Sequence, residues 1–212
     1  MTDRKQIVLA SRNAHKLAEL QRILGPVLDE LGLELIGDTG ASPVENGLTF
    51  EANALIKARD AAERTGLPAI ADDSGLCVEV MGGAPGILSA RWSGPGRDDA
   101  DNVDLLLWQL ADIPDEARAA RFVCAAALVI PGAEELAVRG EWPGSVLRER
   151  RGTGGFGYDP IFLPEGESRA AAELSAAEKN SISHRHRAFA ALAVELRRVC
   201  ADAETECAGG GT

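Results

Sequence analysis

The run RFVCAAALVI, Arg121 to Ile130, is apolar after its first residue and shows no alternation. A strand with one wet face alternates polar and apolar residues with a period of two, so this segment reads as a central strand covered on both faces. KQIVLAS (Lys5 to Ser11) is a second, shorter buried strand, and LELIGD (Leu33 to Asp38) a third. Between them Leu17, Leu20, Ile23 and Leu24 recur at helical spacing until Gly25-Pro26, which is expected to stop the helix. Thr49 is placed to cap a helix reaching about Arg64, with Gly66 and Pro68 closing it. Asp101 to Ile113 carries Val103, Leu106, Leu107 and Leu110 on one helical face, and the last helix, Ser183 to Val199, packs Phe189, Leu192, Ala193 and Leu196. Pro131-Gly132 turns the chain into a strand from Glu135 to Gly140, continuing to Val146. Strand–helix–strand order, then strands in meander order, implies an α/β fold with a long mixed β-sheet and flanking helices. One domain over residues 1–200, in two lobes around a central cleft, and a flexible tail over 201–212 are expected.

AIADDSGLCVEV, Ala69 to Val80, poses a sharper problem. AIADD and LCVEV read as two strands, with adjacent carboxylates at the junction. Like charges repel, and a strand end is a costly place to desolvate them. A surface turn is one reading, since Asp, Ser and Gly all favour turns. An oxygen-ligand metal site is the other: Asp73, with Asp72 beside it and Glu45 from another loop, suits Mg²⁺, which takes one or two carboxylates and fills its other positions with water and phosphate oxygens.

Charge narrows the partners. A formal net charge of −11 argues against nucleic acid, whose binders neutralise phosphates, and no apolar run reaches the length of a membrane helix. The four cysteines show no C-x-x-C pair; Cys77 and Cys124 fall in apolar runs and read as reduced core residues, which with the absence of a signal peptide implies a cytoplasmic protein. Lysine occurs only at Lys5, Lys16, Lys57 and Lys179, and histidine only at His15, His184 and His186.

Those rare residues fall in motifs. SRNAHK, Ser11 to Lys16, crosses from strand to helix, so Asn13 can cap while first-turn N–H groups and Lys16 offer an anion site; an ordinary helix start with an exposed lysine is the alternative. In ENGLTFEANALIKA, Asn53 and Lys57 share a helix face, which for Asn53 reads first as a solvated one. GGFGYDP, Gly154 to Pro160, lets backbone approach a flat ligand, with Phe156 for stacking and Asp159 as an acceptor for a base edge; a glycine-rich turn around a packed aromatic competes with it. EKNSISHRHR clusters Lys179, His184 and Arg185 inside an acidic chain.

In succession these segments, with ADDSGL, GGAPG-x-x-SAR, GGFGYDP-x-F and SHR, resemble the inosine triphosphate pyrophosphatase family over nearly the whole chain except the tail. The resemblance implies two lobes enclosing a cleft, a homodimer, and one Mg²⁺ per subunit with Mn²⁺ as an alternative. It implies hydrolysis of ITP, dITP and XTP, in preference to ATP and GTP, to the monophosphate and pyrophosphate. Carried to matching positions, Ser11, Arg12, Asn13, Ala14, His15 and Lys16 wrap the phosphates. Glu45 and Asp73 hold the metal, with Asp72 as a further candidate and Asp73 as proton acceptor; Lys57, Ser74 and Arg91 touch substrate. Phe156, Gly157, Tyr158 and Asp159 hold the base, and Lys179, His184 and Arg185 complete the pocket. One departure is clear: the family's first motif often reads Thr-Gly-Asn with Gly before Lys, whereas here Arg12 and His15 make the loop bulkier.

The resulting mechanism has Lys16, Lys57 and Lys179 spreading charge over the phosphates while Asp73 orients the attacking water. Rival classes are a nucleotide-binding regulator without turnover, a pyrophosphatase for other modified nucleotides, and a nucleic-acid module. The acidic pair counts against the first, GGFGYDP and SHR against the second, and the missing basic stripe against the third.

Overall fold

The computed structural model describes residues 4–11 and 14–209, with the side chains at 14–16, 18 and 203–209 outside that description. Its strands are β1 (Lys5–Leu9), β2 (Leu33–Gly37), β3 (Ala69–Val78), β4 (Ala119–Val129), β5 (Glu135–Val146) and β6 (Phe162–Pro164). Its helices are α1 (Ala14–Glu30), α2 (Phe50–Thr65), α3 (Asp99–Gln109), α4 (Ala176–Ile182) and α5 (His184–Gly209). The strands form one sheet in the order β2-β1-β3-β4-β5-β6. β1 is parallel to β2 and β3, and β5 antiparallel to β6, so the sheet is mixed as expected. Every residue of β4 from Phe122 to Val129 is buried, as an interior strand covered on both faces requires. None of the described helices is long and apolar enough to cross a membrane.

The chain forms two compact units. The first comprises Met1–Asp72, Ala125–Arg139 and Arg187–Thr212; the second comprises Asp73–Cys124 and Gly140–His186. In the first unit the Thr49 hydroxyl accepts from Ala52 N–H at 3.1 Å to start α2, and Gly66 ends it in the left-handed conformation, both as its sequence requires. α1 does not stop at Gly25-Pro26; it runs through Pro26 to Glu30. A proline inside a helix costs about 3 kcal/mol. Burial of Val27 and Leu28 beyond it, at roughly 1.5–3 kcal/mol each, offsets that cost.

The expected break at Asp73 is also absent. β3 passes without interruption through Asp72, Asp73, Ser74 and Gly75, because the apolar arms on either side are both buried and hold the middle extended. The surface-turn reading of this segment therefore fails. Neighbouring strand residues point to opposite faces, so Asp72, only 3 % exposed, does not present its carboxylate on the same side as half-buried Asp73. α3 begins at Asp99 rather than Asp101, since the Asp98 carboxylate caps it by accepting from Ala100 N–H at 2.8 Å and Asp101 N–H at 3.0 Å. α5 continues to Gly209, well past Val199.

The core of the second unit gathers Leu76, Val78, Val103, Leu106 and Leu110 around an aromatic group of Phe122, Trp142 and Phe162. A buried arginine, Arg118, lies among them and donates to three backbone carbonyls.

Candidate active site

Within the second unit a cavity of about 120 Å³ opens between segments that are distant in sequence. Ser74 and Gly75 from β3, Ser89 and Ala90 from the 3₁₀ turn Gly86–Arg91, Asp99 from α3 and Phe122 from β4 form part of its lining. Phe156 to Asp159, Lys179 from α4, and His184 and Arg185 from the first turn of α5 supply the rest. The fold thus brings together Ser74, Phe156, Gly157, Tyr158, Asp159, Lys179, His184 and Arg185, all singled out in the sequence. It adds Asp99 and Phe122, which were not, together with Gly75, Ser89 and Ala90 from the ADDSGL and GGAPG-x-x-SAR segments.

Local chemistry shapes each wall. Gly155 has φ +73°, and a Cβ there would lie 2.0 Å from Asp159 Oδ2, so the loop needs glycine twice over. That same Oδ2 accepts from Phe156 N–H at 2.8 Å and pairs with the Lys179 ammonium. Asp159 is 1 % exposed, and Lys179 is buried as well. A buried carboxylate is tolerated when paired and hydrogen-bonded, and here one oxygen serves both needs. Asp159 therefore works first as the post that fixes the loop and Lys179, whereas the sequence reading gave it to a base edge. Gly155→Ala is expected to displace Asp159 and loosen this loop with the overall fold retained; faster cleavage of the loop in limited proteolysis, beside a circular dichroism spectrum like the parent's, checks this.

Phe156 is 59 % exposed, with the Lys179 ammonium 4.8 Å and the Arg185 guanidinium 5.6 Å from its ring centroid. Two cations on one ring hold it by cation–π attraction and leave an aromatic surface available for stacking. His184 stacks on Phe122, with centroids 4.7 Å apart and planes at 12°. Ser183 caps α5 by accepting from His186 N–H at 3.2 Å, so the serine of the SHR motif orients the helix that carries His184 and Arg185. The capping box of Ser175 and Glu178 starts α4 and so positions Lys179. Tyr158 donates to the Ser89 carbonyl at 2.9 Å; burial first, and the Asp99 charge second, push its phenol well above the ordinary range. Asp99 Oδ2 accepts from Gly157 N–H at 2.9 Å. No local pattern marks Phe122 or Asp99, because both are recruited by pairing across the fold.

Most of the other expected residues lie in the first unit, whereas Asp73 and Arg91 belong to the second. Lys57 Nζ is 3.3 Å from Glu45 Oε1, with the lysine side chain mostly buried. Asn53 is not on a solvated face: it is buried, and its Oδ1 accepts from Gly47 N–H at 2.8 Å, fixing the loop that carries Glu45. A Cβ on Gly47 would lie 2.7 Å from that oxygen. Ser11 follows β1 after the single residue Ala10. Arg12 and Asn13, and the side chains of Ala14, His15 and Lys16, lie outside the described residues. Arg91 ends its 3₁₀ turn exposed and is not among the cavity residues. Among the described residues no three His, Cys, Asp or Glu side chains group to hold a metal. Mg²⁺ does not need three, and the carboxylates of Glu45 and Asp73 are hard oxygen donors of the kind it takes.

A model of the Ham1 family matches residues 7–195. A dITP/XTP pyrophosphatase of Leifsonia xyli subsp. xyli is 57% identical over 192 residues, covering 91% of this chain and 96% of its own. One from Mycobacterium tuberculosis is 58% identical over 195 residues, covering 91% of this chain and 95% of its own. The solved HAM1 protein of Coxiella burnetii superposes with a TM-score of 0.83 at 43% identity, over 92% of this chain and 99% of that one. Match of sequence and of fold along nearly the whole length has one meaning: this chain belongs to the Ham1 family.

Proposed function

We infer that the protein hydrolyses non-standard purine nucleoside triphosphates, namely ITP, dITP and XTP, to the monophosphate and pyrophosphate, and so cleanses the nucleotide pool. The cavity in the second unit carries the reading. Pockets that bury a drug-sized ligand run to roughly 300–1,000 Å³. At about 120 Å³ this one accommodates a single flat ring system, with ribose and phosphates outside it. Phe156 offers the stacking surface, and Arg185, Lys179 and His184 surround it with donors.

A 6-oxo purine presents an acceptor to such donors, whereas adenine presents an amino group, donor to donor. A buried donor left unmatched costs about 1–3 kcal/mol, enough for roughly 10- to 100-fold discrimination. Because Lys179 is paired with Asp159 beside Phe156, its role belongs with the base, and the phosphates fall to Lys16, Lys57 and the Ser11–Lys16 segment.

By the family resemblance Glu45 and Asp73 would hold Mg²⁺, which when bound would neutralise the triphosphate and acidify water. Asp73 orients the water that attacks the α-phosphorus and takes its proton late, since a free aspartate with pKa near ~3.9 is a weak base at neutral pH. Lys57, already bound to Glu45, balances the carboxylate and stands ready for a phosphate oxygen. Ser74 completes the substrate contacts. Family resemblance extends the reading to a homodimer in the cytoplasm, in keeping with the burial of Cys77 and Cys124 in the core.

A panel of nucleoside triphosphates with Mg²⁺, and separate detection of pyrophosphate and orthophosphate, tests the proposal. Pyrophosphate alone, released faster from ITP, dITP and XTP than from ATP and GTP, is expected; orthophosphate, or no release, overturns it. In the same panel Arg185→Ala is expected to narrow the ITP-to-ATP ratio of kcat/KM about tenfold. An unchanged ratio moves base recognition away from Arg185.

A further inference from the structure

The formal charges around the cavity are Lys179 and Arg185 against Asp159 and Asp99, with His184 stacked on Phe122 and the Tyr158 phenol held protonated. Asp159 is committed to Lys179. That leaves the carboxylate of Asp99 as the remaining negative charge of the lining, and the Gly157 N–H fixes it at 2.9 Å, so it is an oriented charge rather than a wandering one.

We propose that Asp99 is a specificity-determining residue, whose oriented carboxylate offsets the Arg185 charge and so keeps the base cavity from favouring an ionised 6-oxopurine over a neutral one. This rests on the reading that the cavity takes the base. The two kinds of base differ in charge. Hypoxanthine stays neutral until alkaline pH, whereas the second carbonyl of xanthine lets its ring lose a proton close to neutrality. Asp99 therefore disfavours ionised XTP relative to ITP by direct repulsion. Because Asp99 is exposed at the mouth of the cavity, the effect is of the moderate size that water permits, about threefold to tenfold.

Asp99→Asn tests this, because the amide oxygen still accepts from Gly157 N–H while the charge is gone. The XTP-to-ITP ratio of kcat/KM is measured for parent and variant on single preparations, above and below the ionisation of the xanthine base. Any misfolded fraction cancels in the ratio. The ratio is expected to rise about threefold to tenfold in the variant above that ionisation and to stay at the parent value below it. No rise above it, or the same rise on both sides, overturns the role of Asp99. Phe156→Ala separates the two failures: raised KM for both nucleotides keeps the base in this cavity, and KM unchanged for both removes it together with the proposal.

Discussion

Arg118→Met is expected to lower the stability of the fold by several kcal/mol, about 2–6, and with it the urea unfolding midpoint. Arg118 is 2 % exposed. Its Nε donates to the Val146 carbonyl at 2.8 Å, Nη1 to Leu110 at 2.6 Å and Nη2 to Leu147 at 2.8 Å. One guanidinium thus ties the end of α3 to the end of β5 within the second unit. Desolvation by burial, then repulsion from Arg148, lowers its pKa, and Asp115 opposes both. The carbonyl cage is what makes the buried cation tolerable. Methionine fills similar space but withdraws the donor from the buried Val146 carbonyl and the part-buried Leu147 carbonyl, while Leu110 keeps the Ile113 N–H at 3.0 Å; each acceptor left unmatched costs about 1–3 kcal/mol, against a total stability of roughly 5–15 kcal/mol. Arg118→Lys keeps the charge without the fork that spans three carbonyls, and is expected to fall in between. Urea unfolding of both variants checks the order; a methionine variant with the parent's midpoint would show that the cage contributes nothing.

Asp73→Asn is expected to reduce kcat about 100-fold or more while the unfolding midpoint stays near that of the parent. Asp73 sits in the middle of β3, half-buried, in a strand held by its apolar arms rather than by its acids. Asparagine keeps the shape but can neither take a proton nor offer an anionic oxygen to a divalent ion. Steady-state kcat, a thermal melt and a Mg²⁺ titration of parent and variant together separate a chemical loss from a structural one. Retention of more than about a tenth of the parent kcat takes the proton-accepting role away from Asp73.

Legibility followed the range of the interaction. Thr49 before α2, Gly66 after it and the Ser175–Glu178 box all act through atoms within a few residues, so residue type and spacing suffice to place them. The unbroken apolar run of β4 likewise reports its own burial. Pro26 and the Asp72–Gly75 segment misled for the opposite reason: each carries a local stop signal that burial of its flanks overrules.

The order of chemically distinctive residues along the chain determined the family, the mixed α/β sheet and most of the residues around the cavity of the second unit. Only the tertiary structure decided how they are used. It pairs Lys179 with Asp159 twenty residues away, and brings Asp99 to Gly157 across 58 residues and Tyr158 to the Ser89 carbonyl across 69. Such contacts have no signature in local propensity. They arise because a buried charge or hydroxyl must find a partner, and the partner is whichever group the packed core carries within reach.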